Sequence, residues 1–470
     1  MSTPDSHDDS TANRDRSIRL AIVTSLISKV GTIVLRLVSI PIAISQFGME
    51  LFGVYAAITL AVGMIDMFHI GIGPALTREI SRAVAKKDRE RETTVFSTSI
   101  LLSTGLSLLM GAIAAALLIF IPIPDLFGDE FAPVAEIMQR AAWIGLSIMV
   151  LEMICATFEM GRDGYQETRF NNSWGAAGNV VAAVALLTGI WYFPTIEFLL
   201  LAVNGSIVLA KLGNTIHLLI QRPYLIPKFS LFKRKLVRPL AFDGFRFSIT
   251  YILAAMIEYN MIAFVIGRVI GPEAVGVYSV MITVHFSLTN VVGMITRPYW
   301  PALMDAYERN DEAWITKTSR RLSLGGIAFG IATTIGLVAL GPILLPLWAG
   351  EELKTDVSSG FELTRMTLLA FSAYFTLHIW RHINQVFALG VGWVSQVAWT
   401  VVAEGLLLLG LGTMIVMTTG NLGTLYAAMA GTLVLFSGWL FPLFFKKGRT
   451  QTPEPPVMEE ELVHPVSSPL

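Results

Sequence analysis

Long apolar blocks alternate with short polar ones along the whole chain. Runs of about 20 or more apolar residues, enough for an α-helix to cross a bilayer, fall near 20–45, 50–74, 94–122, 134–158, 170–193 and 197–221. A second set falls near 244–268, 273–299, 322–348, 360–386, 391–417 and 422–445. In lipid every backbone polar group must be satisfied within the segment, so each run is expected to be helical. The pattern predicts an all-α polytopic membrane protein with about twelve transmembrane helices. The first run is too long for a signal-peptide core and no small-x-small cleavage site follows it, so it reads as a span. Residues 1–18, carrying Asp5, Asp8, Asp9 and Asp15, read as a disordered tail, and the Pro- and Glu-rich stretch 446–470 as another.

The basic residues orient the spans. Arg78, Arg82, Lys86, Lys87, Arg89 and Arg91 follow the second run. Arg222, Lys228, Lys233, Arg234, Lys235 and Arg238 fill the middle connection, and Arg297, Arg309, Lys317, Arg320 and Arg321 follow the eighth run. Arg162 and Arg169, with the basic residues of both tails, fall on the same side. The alternate turns carry only Arg268 and Lys354. Positive charge is retained on the cytoplasmic side of a membrane protein, so both termini are expected in the cytoplasm.

Composition agrees with this picture. Of the 470 residues 54% are hydrophobic and 15% charged, against roughly 25% charged in soluble domains. A net charge of −1 gives no bulk attraction to nucleic acid. The single cysteine, Cys155, lies in an apolar run and supports neither a disulfide nor a cysteine metal site.

One segment recurs. Gly48-Met49-Glu50-Leu51-Phe52-Gly53-Val54-Tyr55 follows the first run, and Gly271-Pro272-Glu273-Ala274-Val275-Gly276-Val277-Tyr278 follows the seventh. Pro74-Ala75-Leu76 and Pro301-Ala302-Leu303 then end the spans that follow. Copies six spans apart have the same orientation, one of the repeat schemes on which transporters are built. The domain organisation expected is a six-helix bundle over 19–221, a cytoplasmic linker over 222–243 and a second six-helix bundle over 244–445. Within the linker Leu231, Phe232, Leu236, Val237 and Leu240 alternate with Lys and Arg as in an amphipathic helix on membrane lipid.

The stretch Phe52-Gly53-Val54-Tyr55, Asp66 and Gly71-Ile72-Gly73-Pro74-Ala75-Leu76-Thr77-Arg78-Glu79-Ile80, with Ile270 to Tyr278 in the second half, resembles the polysaccharide-synthesis transporters. These are the O-antigen-type lipid-linked oligosaccharide flippases of the multidrug/oligosaccharidyl-lipid/polysaccharide exporter superfamily. The resemblance implies two six-helix bundles around a central cavity. It also implies alternating access, a polyprenyl-diphosphate-linked glycan as cargo, and polysaccharide polymerase or glycosyltransferase machinery as partners. One departure is Met67-Phe68-His69 after Asp66, where such sequences commonly have Leu-Gly.

Charges inside spans cost roughly 2.5–3.5 kcal/mol each at mid-membrane, so they are expected to face a cavity or a partner. Lys29 and Arg36, seven residues apart, share one helix face and lie too deep to reach an interface. They are candidates to hold a diphosphate, the alternative being ion pairs with Asp66 or Glu258. Arg140, Lys211 and Arg381 extend the set of candidate cavity cations. Asp66, His69, Glu258 and Glu404 are candidates for cation coupling or ion pairing, and Glu152 is a further acid in the fourth run. His378, Arg381 and His382 share a face of the tenth run and read as a basic patch near the inner mouth. Without a third ligand, and with Arg381 between the histidines, they make no metal site.

No Gly-Lys dipeptide exists for a Walker loop, and no cofactor is expected. The outer turns are too short to carry the catalytic groups of a membrane-embedded glycan-processing enzyme. The sequence therefore reads as a flippase in the cytoplasmic (inner) membrane. The competing reading is a cation-coupled multidrug or small-metabolite exporter.

Overall fold

A computed structural model describes residues 5–66, 72–241, 256–296, 311–351 and 360–450, and the isolated positions Tyr299, Leu303, Ala306, Tyr307 and Leu353. Side chains before Val30 and after Lys447, and those of Ile65, Asp66 and Val394, are not described. The first half comprises α1 (Asp5–Asp66), α2 (Ile72–Ala85), α3 (Arg89–Phe120), α4 (Ile123–Phe127), α5 (Ala135–Gly164), α6 (Thr168–Gly189), α7 (Ile196–Leu200) and α8 (Ser206–Gln221). The second comprises α9 (Ile262–Val269), α10 (Pro272–Thr296), α11 (Glu312–Ala349), α12 (Arg365–Gly390), α13 (Val394–Thr418), α14 (Leu422–Leu435) and α15 (Ser437–Thr450).

Eight helical segments among the described residues are long and apolar enough to cross a membrane. The helices bear many large apolar side chains outward. Leu108, Leu109, Ile113 and Phe120 of α3 and Ile331, Ile335, Ile343 and Leu347 of α11 are all exposed, the surface that hydrocarbon requires. The expected span at 170–193 is α6, whose Asn171, Asn172 and Asn179 lower its hydropathy, and that at 360–386 is α12. The expected span at 244–268 is described only from Met256 onward.

α1 is two helices joined at a reversal. Gly48 has φ 75° and ψ 174°, a backbone open to glycine and costly for other residues. Arg36 and Thr59 line one cavity, whereas a straight helix would hold them about 35 Å apart. The first two expected spans are thus the two arms of α1. Its helix begins at Asp5, so residues expected to form a tail are helical. Extending an existing helix avoids the cost of nucleation. Helix also continues to Thr450 at the other end.

The linker departs from expectation too. Instead of one amphipathic helix it begins as two short 3₁₀ turns, Pro223–Leu225 and Phe229–Leu231, and helix starts only at residue 234. Pro223 and Pro227 interrupt a helical ladder. The backbone turns to α3 instead: the Thr98 hydroxyl donates to the Leu231 carbonyl at 3.4 Å and accepts from the Lys233 N–H at 3.1 Å.

The two halves meet on the side opposite the basic turns. Gly53 packs on the Pro272 carbonyl, and reciprocally Gly276 packs on Met49, so the recurring segments are pressed against one another. Gly271, like Gly48, has positive φ, at 119°. The ring of Phe127 lies 5.6 Å from that of Phe264. Arg268 Nη1 donates to the carbonyls of Asp125 and Leu126 at 2.5 and 3.1 Å, and Trp348 Nε1 to that of Leu37 at 2.7 Å. Among the described residues α2, α3, α5, α6 and α8 present no packed face to the second half. The contacts between the halves among the described residues thus lie at the far side.

Candidate functional site

Two polar centres lie within the bundles, one in each half, and each sits beside a π-helical turn. Such turns insert one residue into the ladder and re-aim the side chains around it. In the first half the turn is Leu201–Gly205, between α7 and α8, and it carries Asn204. In the second it is Met256–Met261, leading into α9, and it carries Glu258, Tyr259 and Asn260.

In the first half Arg36, Thr59, Gly63, Gly145, Glu152 and Asn204 line a cavity of about 230 Å³. The Thr59 hydroxyl donates to the Tyr55 carbonyl at 2.9 Å. The Arg36 side chain remains accessible although protein surrounds it, and its guanidinium lies 5.9 Å from the ring centroid of Phe286 in the second half. Among the described residues no carboxylate lies within ion-pair distance of Arg36. Glu152, on the same cavity, is 3.0 Å from Lys211 Nζ, which also reaches Glu159 at 3.4 Å. Lys211 therefore ties α8 to α5. Arg140 lies at the far-side end of α5, half exposed, bound to Glu136 at 2.7 Å and Glu197 at 2.9 Å, away from Arg36.

The second half holds a buried ionic triad. Arg381 Nη1 lies 2.6 Å from Glu258 Oε1 and 3.0 Å from Glu404 Oε1, and all three residues are buried. Each acid has a further fixed contact. His378 Nε2 is 3.8 Å from Glu258 Oε2, and Glu404 Oε2 accepts the Ser437 N–H at 3.2 Å. That N–H is free because the last span breaks at Phe436, between α14 and α15. Tyr259 OH bonds to His285 Nε2 at 2.9 Å and to His378 Nε2 at 3.4 Å, and Tyr278 OH donates to the Glu258 carbonyl at 2.6 Å.

The structure corrects one expectation: Arg381 is not part of a basic mouth. It is enclosed between two carboxylates, because a guanidinium in an apolar bundle needs anions to offset its lost hydration. His378 joins the same cluster, and His382 bonds to Thr296 on α10 at 2.9 Å. Glu258 is held by Arg381 and so is not the partner of Arg36. The side chains of Lys29 and Asp66, and His69 altogether, lie outside the described residues.

Sequence reasoning missed Tyr55, Asn204, Tyr259 and His285. One signal was available, since Tyr278 and His285 stand seven residues apart on one face of α10. It also counted Arg162 as an ordinary turn residue. Arg162 is wholly buried and bonded to Asn214 and Gln221.

The arrangement offers an accessible guanidinium beside the seam, without a carboxylate at ion-pair distance among the described residues, and, across the seam, a buried cluster of two carboxylates and one guanidinium. Comparison with known proteins agrees with the fold. Residues 21–306 match the family described as polysaccharide biosynthesis protein. No curated protein matches the chain. Among solved structures the chain is similar to an inward-facing multidrug resistance MATE family transporter of the MOP superfamily. The TM-score is 0.72 at 16% identity, over 92% of this chain and 97% of that one. It is also similar to a MOP superfamily transporter from Pyrococcus furiosus, with a TM-score of 0.65 at 14% identity over 92% and 95% of the two chains. A eukaryotic MATE transporter gives 0.65 at 12% identity over 93% and 98%.

Proposed function

Because the chain belongs to the polysaccharide biosynthesis protein family and has the fold of the MOP superfamily transporters, we propose that it is a flippase for a polyprenyl-diphosphate-linked oligosaccharide or polysaccharide precursor. The basic side faces the cytoplasm of a cell whose inner membrane it spans, with both termini on that side. Cargo enters between the halves from the cytoplasmic leaflet and leaves to the outer one as the halves rock about the central site.

The observation that carries this reading is Arg36. A guanidinium kept accessible at the seam, with no carboxylate at ion-pair distance among the described residues, is an anion site inside the membrane. Its fork matches a diphosphate better than an ammonium does. Lys29 precedes Arg36 by seven residues, the spacing that repeats on one face of a helix. The odd carboxylate of the Glu258–Arg381–Glu404 triad supplies a place for the coupling cation.

The test replaces Lys29 and Arg36 with Ala and follows lipid-linked glycan in each leaflet of reconstituted vesicles. Outward movement falls by at least about tenfold if both cations hold the diphosphate. Movement equal to that of the parent protein removes the proposal. A second reading, cation-coupled export of small organic cations, is favoured by the same surplus of acid in the second half. It requires that E258Q and E404Q abolish export of such a compound while K29A/R36A leaves it intact.

A further inference from the structure

The rim of the first half on the basic side carries a cleft rich in arginine. A cleft of about 460 Å³ opens there, lined by Arg89 at the start of α3, Arg169 and Phe170 at the start of α6, Arg222 and Tyr224 after α8, and Glu167. Three guanidiniums thus face one carboxylate. That carboxylate is already committed: Arg222 donates to its two oxygens at 2.8 and 3.1 Å, and buried Arg162 lies 3.4 Å away.

The guanidiniums are held by aromatic faces. Arg89 stacks on Tyr224 at 3.8 Å, Arg222 on Tyr165 at 4.2 Å and Arg169 on Phe170 at 4.8 Å. Stacking fixes the plane of a guanidinium and leaves its N–H edge for acceptors. The nearest acid to Arg89 is Glu92 at 3.6 Å, which already accepts from the hydroxyls of Tyr165 and Tyr224. Among the described residues Arg169 has no carboxylate partner. Behind the cleft, bonds from Arg162 to Gln221 and from Asn214 to Asn171 brace the wall.

The position of the cleft says what covers it. It lies where α3, α6 and α8 leave the membrane on the basic side, the depth of lipid phosphates. Ile216 and Ile220, about one turn apart in the last part of α8, are exposed and offer an apolar track for an acyl chain. We infer that this cleft binds the phosphate-bearing headgroup of an anionic phospholipid, with Arg89 and Arg169 as the phosphate donors.

The experiment uses the full chain in lipid nanodiscs containing phosphatidylglycerol and phosphatidylcholine, with co-purifying lipid counted by native mass spectrometry. The parent protein should retain phosphatidylglycerol selectively, and R89A/R169A should lower that retention by about tenfold or more. R320A/R321A removes a separate basic patch on α11 and should leave it unchanged. R169A alone gives the same reading if the double variant fails to fold, since among the described residues that side chain is seen stacked on Phe170 and on no carboxylate. Equal retention of the two lipids by the parent protein, or parental retention in R169A, overturns the inference. Saturable binding of inorganic phosphate that displaces phosphatidylglycerol would make the site one for free phosphate and also overturn it.

Discussion

Gly53 is the position at which one added methyl group reports on the closure between the halves. A Cβ there would sit well over 1 Å inside the 3.0 Å that real Cβ atoms keep, and what it meets is the Pro272 carbonyl, backbone that no rotamer change can move aside. G53A must therefore part the halves on the far side. Overpacking costs typically 1–3 kcal/mol. Charged against the closed state alone, this shifts the equilibrium toward far-side opening by roughly 5–150-fold. Ile44 gives the readout, because it is fully buried beside Gly350. In a C155A background, I44C should react with a membrane-impermeant thiol reagent from the far side faster by that factor when G53A is present. G105A, where a Cβ meets nothing within 4 Å, should leave the rate alone. A folded G53A protein that labels at the parental rate would refute the reasoning.

Three further outcomes are expected. R268A removes the donor to the Asp125 and Leu126 carbonyls and should raise I44C labelling less than G53A does, by the roughly 0.5–1.5 kcal/mol of ordinary hydrogen bonds; no increase would show that this contact is incidental. R381A leaves Glu258 and Glu404 buried without their cation and should cost about 3–5 kcal/mol, with R381A/E258Q recovering part of it. Equal melting temperatures in detergent for the two variants would contradict the triad's role. Burial opposes the charge on Glu79, but the hydrogen bond and charge of Arg91, then Arg82, outweigh it and hold its pKa below the usual glutamate value near 4.5. The stability this contributes is present above that value and is lost as pH falls through the lowered one. The melting gap between parent and E79Q should therefore close on acidification, and a constant gap would reject the assignment.

The spans were legible because a bilayer admits only one solution for a long apolar run. The recurring segment was legible as well, and its two glycine turns, at Gly48 and Gly271, fall where it placed them. What stayed hidden depends on several helices at once. Arg381 is a basic residue on an apolar helix until α9, α13 and the preceding π-turn bring Glu258 and Glu404 around it. Arg162 reads as a positive turn residue because nothing in its neighbourhood of sequence announces Asn214 or Gln221, some fifty residues on. The linker misled for another reason. Its apolar spacing suits a helix, but two prolines and the hydroxyls of Ser97 and Thr98 gave its backbone other partners.

The reciprocal packing of Gly53 on Pro272 and Gly276 on Met49 makes the seam self-complementary, in the manner of a two-fold dimer interface. A half-length polypeptide bearing one such turn would own both the knob and the socket, and two copies would clasp each other without any further invention. Fusion into one chain frees the halves from that identity. One keeps an accessible guanidinium and the other a buried guanidinium between two acids, while the seam they share stays symmetric.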